Sequence, residues 1–87
     1  MIKPVKPNPV SGGIVHFEYV ITHQGMVSII LYDELGREAA RVIDRRLQPA
    51  GAYTAEFDAR GLPSGSYTYR FQLDSHRAIS GNMVVSN

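Results

Sequence analysis

The residues in this chain best able to bind a metal or move a proton are its three histidines, His16, His23 and His76. Metal-binding histidines usually sit at close spacing, such as i, i+4 on a helix face or a tight pair in one loop. Here His16 lies on the polar side of an alternating segment, while His23 and His76 fall in separate turns. The spacing therefore predicts solvated imidazoles and no metal site. Two carboxylates meeting in a cleft could do acid–base work, and Asp33/Glu34 and Asp58 are the candidates beside loops. Asp33 and Asp58 each close an alternating segment, where an aspartate side chain commonly bonds turn amides, so turn-stabilising roles are expected. No serine stands in a G-x-S-x-G setting. Neither "SGG" nor "PSG" has the following helix and lysine of a phosphate-cradling loop. Five tyrosines and three phenylalanines, with Arg70 among them, could stack a base or a sugar, but their alternation on one face points to core. The residues predict no enzyme, no catalytic group and no cofactor.

At 87 residues the chain has room for one domain with a small core. It contains no cysteine, so neither disulfides nor thiolate metal sites can supplement that core. Nine basic and eight acidic residues give a net charge of +1, and the densest basic run, "RVIDRR" at 41–46, is interrupted by Asp44. Nucleic acid is not expected as a partner, because it requires a clustered basic face. The longest apolar stretch, "VSIILY", is far short of the roughly 20 residues that span a bilayer, so the chain is not expected to cross a membrane. "MIKPVKPNPV" has lysines but no apolar run behind them and does not read as a signal peptide.

The elements that must position these residues are strands. Residues 1–12 hold Pro4, Pro7 and Pro9 and read as an extended arm or edge strand, with the domain proper at 13–87. "IVHFEYVI" places Val15, Phe17, Tyr19 and Ile21 on one face, and "MVSIILY" does the same for Val27, Ile29 and Leu31. Glu34-Leu35-Gly36 suits a three-residue hairpin loop with a positive φ at glycine. The segment after it is ambiguous: Leu35, Ala39, Val42 or Ile43, and Leu47 approach helical spacing in helix-favouring residues. Gly36 and the preceding Tyr32-Asp33 favour a strand over 37–44. "QPAG" turns into "AYTAEFDA", and "ARGLPSG" breaks that strand before "SYTYRFQL" aims Tyr67, Tyr69, Phe71 and Leu73 to one side. A leucine, a proline-glycine corner and a following tyrosine resemble a tyrosine corner, with Tyr67 bonding back to the backbone where the chain changes sheet. "RAISGNMVVSN" supplies a last strand with Gly81 as a possible bulge. Together these predict an all-β fold, an immunoglobulin-like antiparallel β-sandwich of about seven strands.

Several of these motifs, in this order, resemble the C-terminal sorting domain of proteins exported by the type IX secretion system of Bacteroidetes and related bacteria. The matching residues are Pro7-Asn8-Pro9, Tyr32-Asp33, Leu35-Gly36-Arg37-Glu38, Pro49-Ala50-Gly51, Phe57-Asp58, and Leu62 through Gly65 to Tyr67. The resemblance covers nearly the whole chain and implies that 37–44 is a strand. It also implies a sandwich fused behind an N-terminal cargo and recognised by the outer-membrane translocon. The same resemblance implies a sortase-like peptidase as a second partner and a route through the periplasm to the cell surface or exterior. A face of strands and the last strand's edge are the docking surfaces such a role would use. The "YD-x-x-G-R" and "G-x-Y-x-Y" texture is also similar to the immunoglobulin-like domain of the flagellar hook-capping protein, a structural module. A third class is a carbohydrate-binding or spacer sandwich of a secreted hydrolase.

Overall fold

Period-two alternation decides which side chains this chain can bury, and the sheets form around that choice. The structure is a computed structural model that describes residues 2–5, 13–76 and 78–86. Six strands follow one another: β1 (Ile14–Ile21), β2 (Gly25–Tyr32), β3 (Glu38–Gln48), β4 (Gly51–Asp58), β5 (Gly65–Leu73) and β6 (Ile79–Val85). A short 3₁₀ turn, Ala59–Gly61, lies between β4 and β5. All pairings are antiparallel, in a two-stranded sheet β1-β4 and a four-stranded sheet β3-β2-β5-β6. The expected all-β sandwich is present, with six of the expected seven or so strands among the described residues. The arm contributes a single bridge, Ile2 to Tyr19, with the Lys3 amide donating to the Glu18 carbonyl at 2.9 Å. Ile2 and Val5 are buried by this docking. Among the described residues no helix is long and apolar enough to cross a membrane.

The core is what the alternation foretells. Val15, Phe17, Tyr19 and Ile21 from β1 face Val27, Ile29 and Leu31 from β2 and Tyr67, Tyr69 and Phe71 from β5, with Met83 and Val85 from β6. Fully burying one such side chain contributes about 1.5–3 kcal/mol. Aromatic rings bridge the sheets. Phe17 meets Tyr69 edge-on with centroids 5.7 Å apart, and Tyr19 lies between Tyr53 at 5.4 Å and Phe71 at 5.1 Å. The Tyr19 hydroxyl donates to Gln48 Oε1 at 2.6 Å, satisfying a buried amide that would otherwise be costly.

β3 is a strand, and it explains its own ambiguity. Its pairing with β2 slips between Val27 and Ile29, between Ile29 and Ile30, and between Leu31 and Tyr32, so eleven residues run beside eight. Each bulge consumes an extra residue and resets which face comes next. Apolar residues then recur at three- and four-residue intervals, which is the helical signature. Of that apolar set Ile43 alone is buried, while Leu35 and Leu47 are exposed. Arg45 holds a φ of 49° at one bulge, and its amide donates to Ser28 Oγ at 3.2 Å. Gly81, in contrast, is not a bulge: β5 and β6 pair in continuous register from Gly65↔Val85 to Phe71↔Ile79. Gly81 lies opposite Tyr69, and a Cβ there would overlap the phenol.

The chain changes sheet three times, from β1 to β2, β3 to β4 and β4 to β5. At the last crossing the Tyr67 hydroxyl donates to the Pro63 carbonyl at 2.6 Å, the corner expected from sequence. The middle crossing repeats it: Tyr53 donates to the Pro49 carbonyl, also at 2.6 Å. Both follow one spacing, Pro49-Ala50-Gly51-Ala52-Tyr53 and Pro63-Ser64-Gly65-Ser66-Tyr67. The two glycines adopt nearly the same φ, 155° and 156°, a conformation side chains rarely tolerate. The Tyr67 bond is partly buried and the Tyr53 bond exposed. Tyr67→Phe should therefore cost about 1 kcal/mol and Tyr53→Phe about half that, with near-additive effects in the double variant. Urea midpoints measure both; no loss for Tyr67→Phe would contradict a locking role for the corner.

Candidate functional site

Several of the motif residues named above meet at one end of the sandwich. The β2–β3 hairpin is built by Asp33. Its Oδ1 accepts the amides of Leu35 and Arg37, each at 2.9 Å, and its Oδ2 accepts Arg37 Nε at 3.0 Å. The Asp33 amide in turn donates to the Arg37 carbonyl at 2.9 Å, and Gly36 closes the loop at φ 79°. This hairpin rests beside the β4–β5 crossing, where Glu34 Oε1 approaches the Ser66 amide at 3.5 Å. A shallow groove between them is walled by Asp33, Glu34, Leu35 and Arg37 on one side and by Pro63 to Tyr67 on the other. Tyr32, Asp33 and Gly36 also border a second depression, with Thr68, Arg70 and Ser80 on the outer face of the larger sheet.

The remaining motif residues have local duties. Asp58 caps the 3₁₀ turn: its carboxylate accepts the Arg60 amide at 3.0 Å and holds the Arg60 guanidinium at 2.6 Å. Phe57 is half-buried in β4 opposite Val15, and Leu62 packs against the core just past the turn. Gly51 belongs to the β3–β4 crossing at the opposite end. Pro7, Asn8 and Pro9 lie outside the described residues. The structure thus brings Asp33 and Arg37 together with Gly65 and Tyr67 in one groove, sets Tyr32 and Gly36 on the neighbouring depression, and leaves Gly51, Phe57, Asp58 and Leu62 to fold-building roles.

Electrostatics agree with capping. The Arg37 amide, helped by its guanidinium and the Leu35 amide, lowers the Asp33 pKa. The Arg60 side chain and amide pull Asp58 down to about 2 from its ordinary 3.8. A carboxylate held ionised by donors cannot serve as a general acid near neutral pH. Burial raises the Tyr19 and Tyr69 phenols instead, the expected response of a core hydroxyl.

Two features escaped the sequence reading. The Tyr53 corner was signalled by a spacing identical to that around Tyr67. The second feature contradicts the expectation of isolated histidines: His23 and His76 come together with Asp74, their ring centroids 5.4 Å apart. No sequence spacing could reveal this, because the β1–β2 and β5–β6 turns each supply one imidazole. His16 keeps its expected place on the outer face of β1, 3.5 Å from Glu56.

The lowered Asp58 and Asp33 pKa values fix the sign of an acid effect. Their stabilisation is complete above the ordinary carboxylate range and drains away as pH falls, for Asp58 until about pH 2. Urea midpoints of the parent should fall between about pH 4 and 2, and Asp58→Asn should show a shallower fall over that interval. Parallel curves for the two proteins would contradict the assignment. Compared with known proteins, the chain matches no family model, no curated protein and no solved structure.

Proposed function

We propose that this chain is a non-catalytic sorting and anchoring domain, one that directs a larger protein through the type IX secretion system to the cell surface. The observation that carries the reading is the exposure of Leu35 and Arg37 on the motif hairpin. Leu35 is 75% exposed, and the Arg37 side chain 72%. Asp33 shapes the turn through the backbone amides of Leu35 and Arg37, so the Leu35 side chain takes no part in it, and the Arg37 guanidinium adds one exposed ion pair to Asp33. A leucine and an arginine held outward on a stiff turn, beside the Pro63–Tyr67 groove, offer an apolar and a cationic contact to a partner protein. The recognised object is then a folded surface, with the translocon and the sortase-like peptidase as partners of the exported cargo.

A structural immunoglobulin-like module of a hook cap or other extracellular assembly is the second reading. The two tyrosine-locked crossings favour it, since they make a stiff unit whether or not a receptor reads its surface. A carbohydrate-binding role finds less support, because none of the five tyrosines and three phenylalanines is fully exposed.

The test fuses residues 1–87 behind a signal-peptide-bearing fluorescent reporter in a type IX-competent bacterium and in a strain lacking the translocon. Surface reporter is expected only in the competent strain. The double variant Leu35→Ser/Arg37→Ser should lose surface display while changing stability by less than about 1 kcal/mol. Periplasmic retention of the parent in both strains, with the domain folded, would overturn the sorting role in favour of the structural module. Undiminished display of the double variant would remove Leu35 and Arg37 from the recognition surface.

A further inference from the structure

Two of the three sheet crossings are locked by a tyrosine; the β1–β2 crossing is held differently. There the Asp74 amide donates to the Met26 carbonyl at 2.7 Å, and Asp74 Oδ1 accepts the Met26 amide at 2.7 Å. This pincer joins the β1–β2 turn to the β5–β6 turn, at the end of the sandwich remote from the Asp33 hairpin. Asp74 adopts a φ of 53°, which a non-glycine residue takes up only where its surroundings require it. Gly25 leaves the necessary room, because a Cβ there would run into the Asp74 carboxylate.

With Oδ1 engaged, Oδ2 faces His23 Nε2 at 3.9 Å. His76 completes the group. One nitrogen from each imidazole and one carboxylate oxygen lie within 4.8 Å of one another. The two rings are tilted by 57° and so are not stacked face to face. His76 Nδ1 lies 3.1 Å from the Leu73 carbonyl. A carbonyl can only accept, so this contact places the proton on Nδ1 and the lone pair on Nε2. Metal-binding histidines are commonly oriented in this way, by a carbonyl or carboxylate on the other nitrogen.

We propose that His23, Asp74 and His76 bind a single transition-metal dication of the Zn²⁺ class, which fastens the β1–β2 crossing to the β5–β6 turn. Two imidazoles and one carboxylate suit Zn²⁺, whose bonds of about 2.0–2.2 Å need ligand atoms about 3.3–3.5 Å apart. All three side chains are exposed, so small rotations about their side-chain bonds close the remaining distance. The set is wrong for Ca²⁺ or Mg²⁺, which require mostly oxygen ligands. Three protein ligands leave a fourth position for water or for a side chain of another protein. The ion does for this crossing what a tyrosine does for the other two.

The test titrates Zn²⁺ into the tag-free full chain and follows imidazole proton resonances by NMR, with calorimetry for stoichiometry. One equivalent should bind, shifting His23 and His76 and leaving His16 unchanged, and the thermal midpoint should rise with added Zn²⁺. His23→Ala, His76→Ala and Asp74→Asn should each weaken binding at least about tenfold. His16→Ala should bind as the parent does, and Ca²⁺ should not compete. Asparagine keeps an oxygen for the Met26 amide, so the Asp74 variant preserves the turn. Failure to saturate at one equivalent would overturn the proposal, as would a shift of His16 equal to the others. So would parental affinity in both histidine variants. The parent titration decides the question even if a variant does not fold.

Discussion

Each passage of a single chain from one sheet to the other turns the backbone where no ladder holds it. In this protein two of three passages are fastened by a tyrosine hydroxyl donating to a proline carbonyl four residues back, at 2.6 Å in each case. The rest of the architecture depends on those corners. Among the described residues the β1-β4 sheet has two strands, and an isolated pair is marginal in water. It persists because Val15, Phe17, Tyr19 and Ile21 are pressed against the four-stranded sheet. The same tyrosines serve both ends of that arrangement: Tyr53 stacks on Tyr19, and Tyr67 joins the core of β5. Fixing the crossing and filling the interface are one act.

The division of labour between the two ends follows from this. The core and the corners determine how the sheets face one another, leaving the hairpins free to present side chains that packing does not require. At one end Asp33 shapes a turn that holds Leu35 and Arg37 outward. At the other, Asp74 spans two turns and gathers a pair of histidines. In the reading proposed for this domain, the stiff sandwich is a carrier for surfaces that other proteins read.

Much of the fold was legible in the sequence because strands buried on one face must alternate. Phe17, Tyr19, Tyr69 and Phe71 announced their burial by spacing alone, and Asp33 and Gly36 announced the hairpin by turn chemistry. β3 was hard to read for a physical reason: three register shifts destroy its alternation and leave intervals that mimic a helix. Gly81 misled in the opposite direction, since a glycine in a strand signals either a bulge or a close neighbour, and here the neighbour is Tyr69. The groove beside Asp33 had no signal in the sequence, since it exists only where the β2–β3 hairpin meets the β4–β5 crossing, with Glu34 and Ser66 32 residues apart in the chain. The meeting of His23 with His76 depends on the pairing of β2 with β5, a long-range register that no local pattern encodes.

The locked crossings bind the two sheets into one cooperative unit, a property that native-state amide hydrogen exchange reads out strand by strand. The protected amides of β1 and β4 should open together with those of β2 and β5, at the same free energy and with the same denaturant dependence. Exchange of β1 and β4 through a separate, lower-energy opening, while β2 and β5 stay protected, would contradict it.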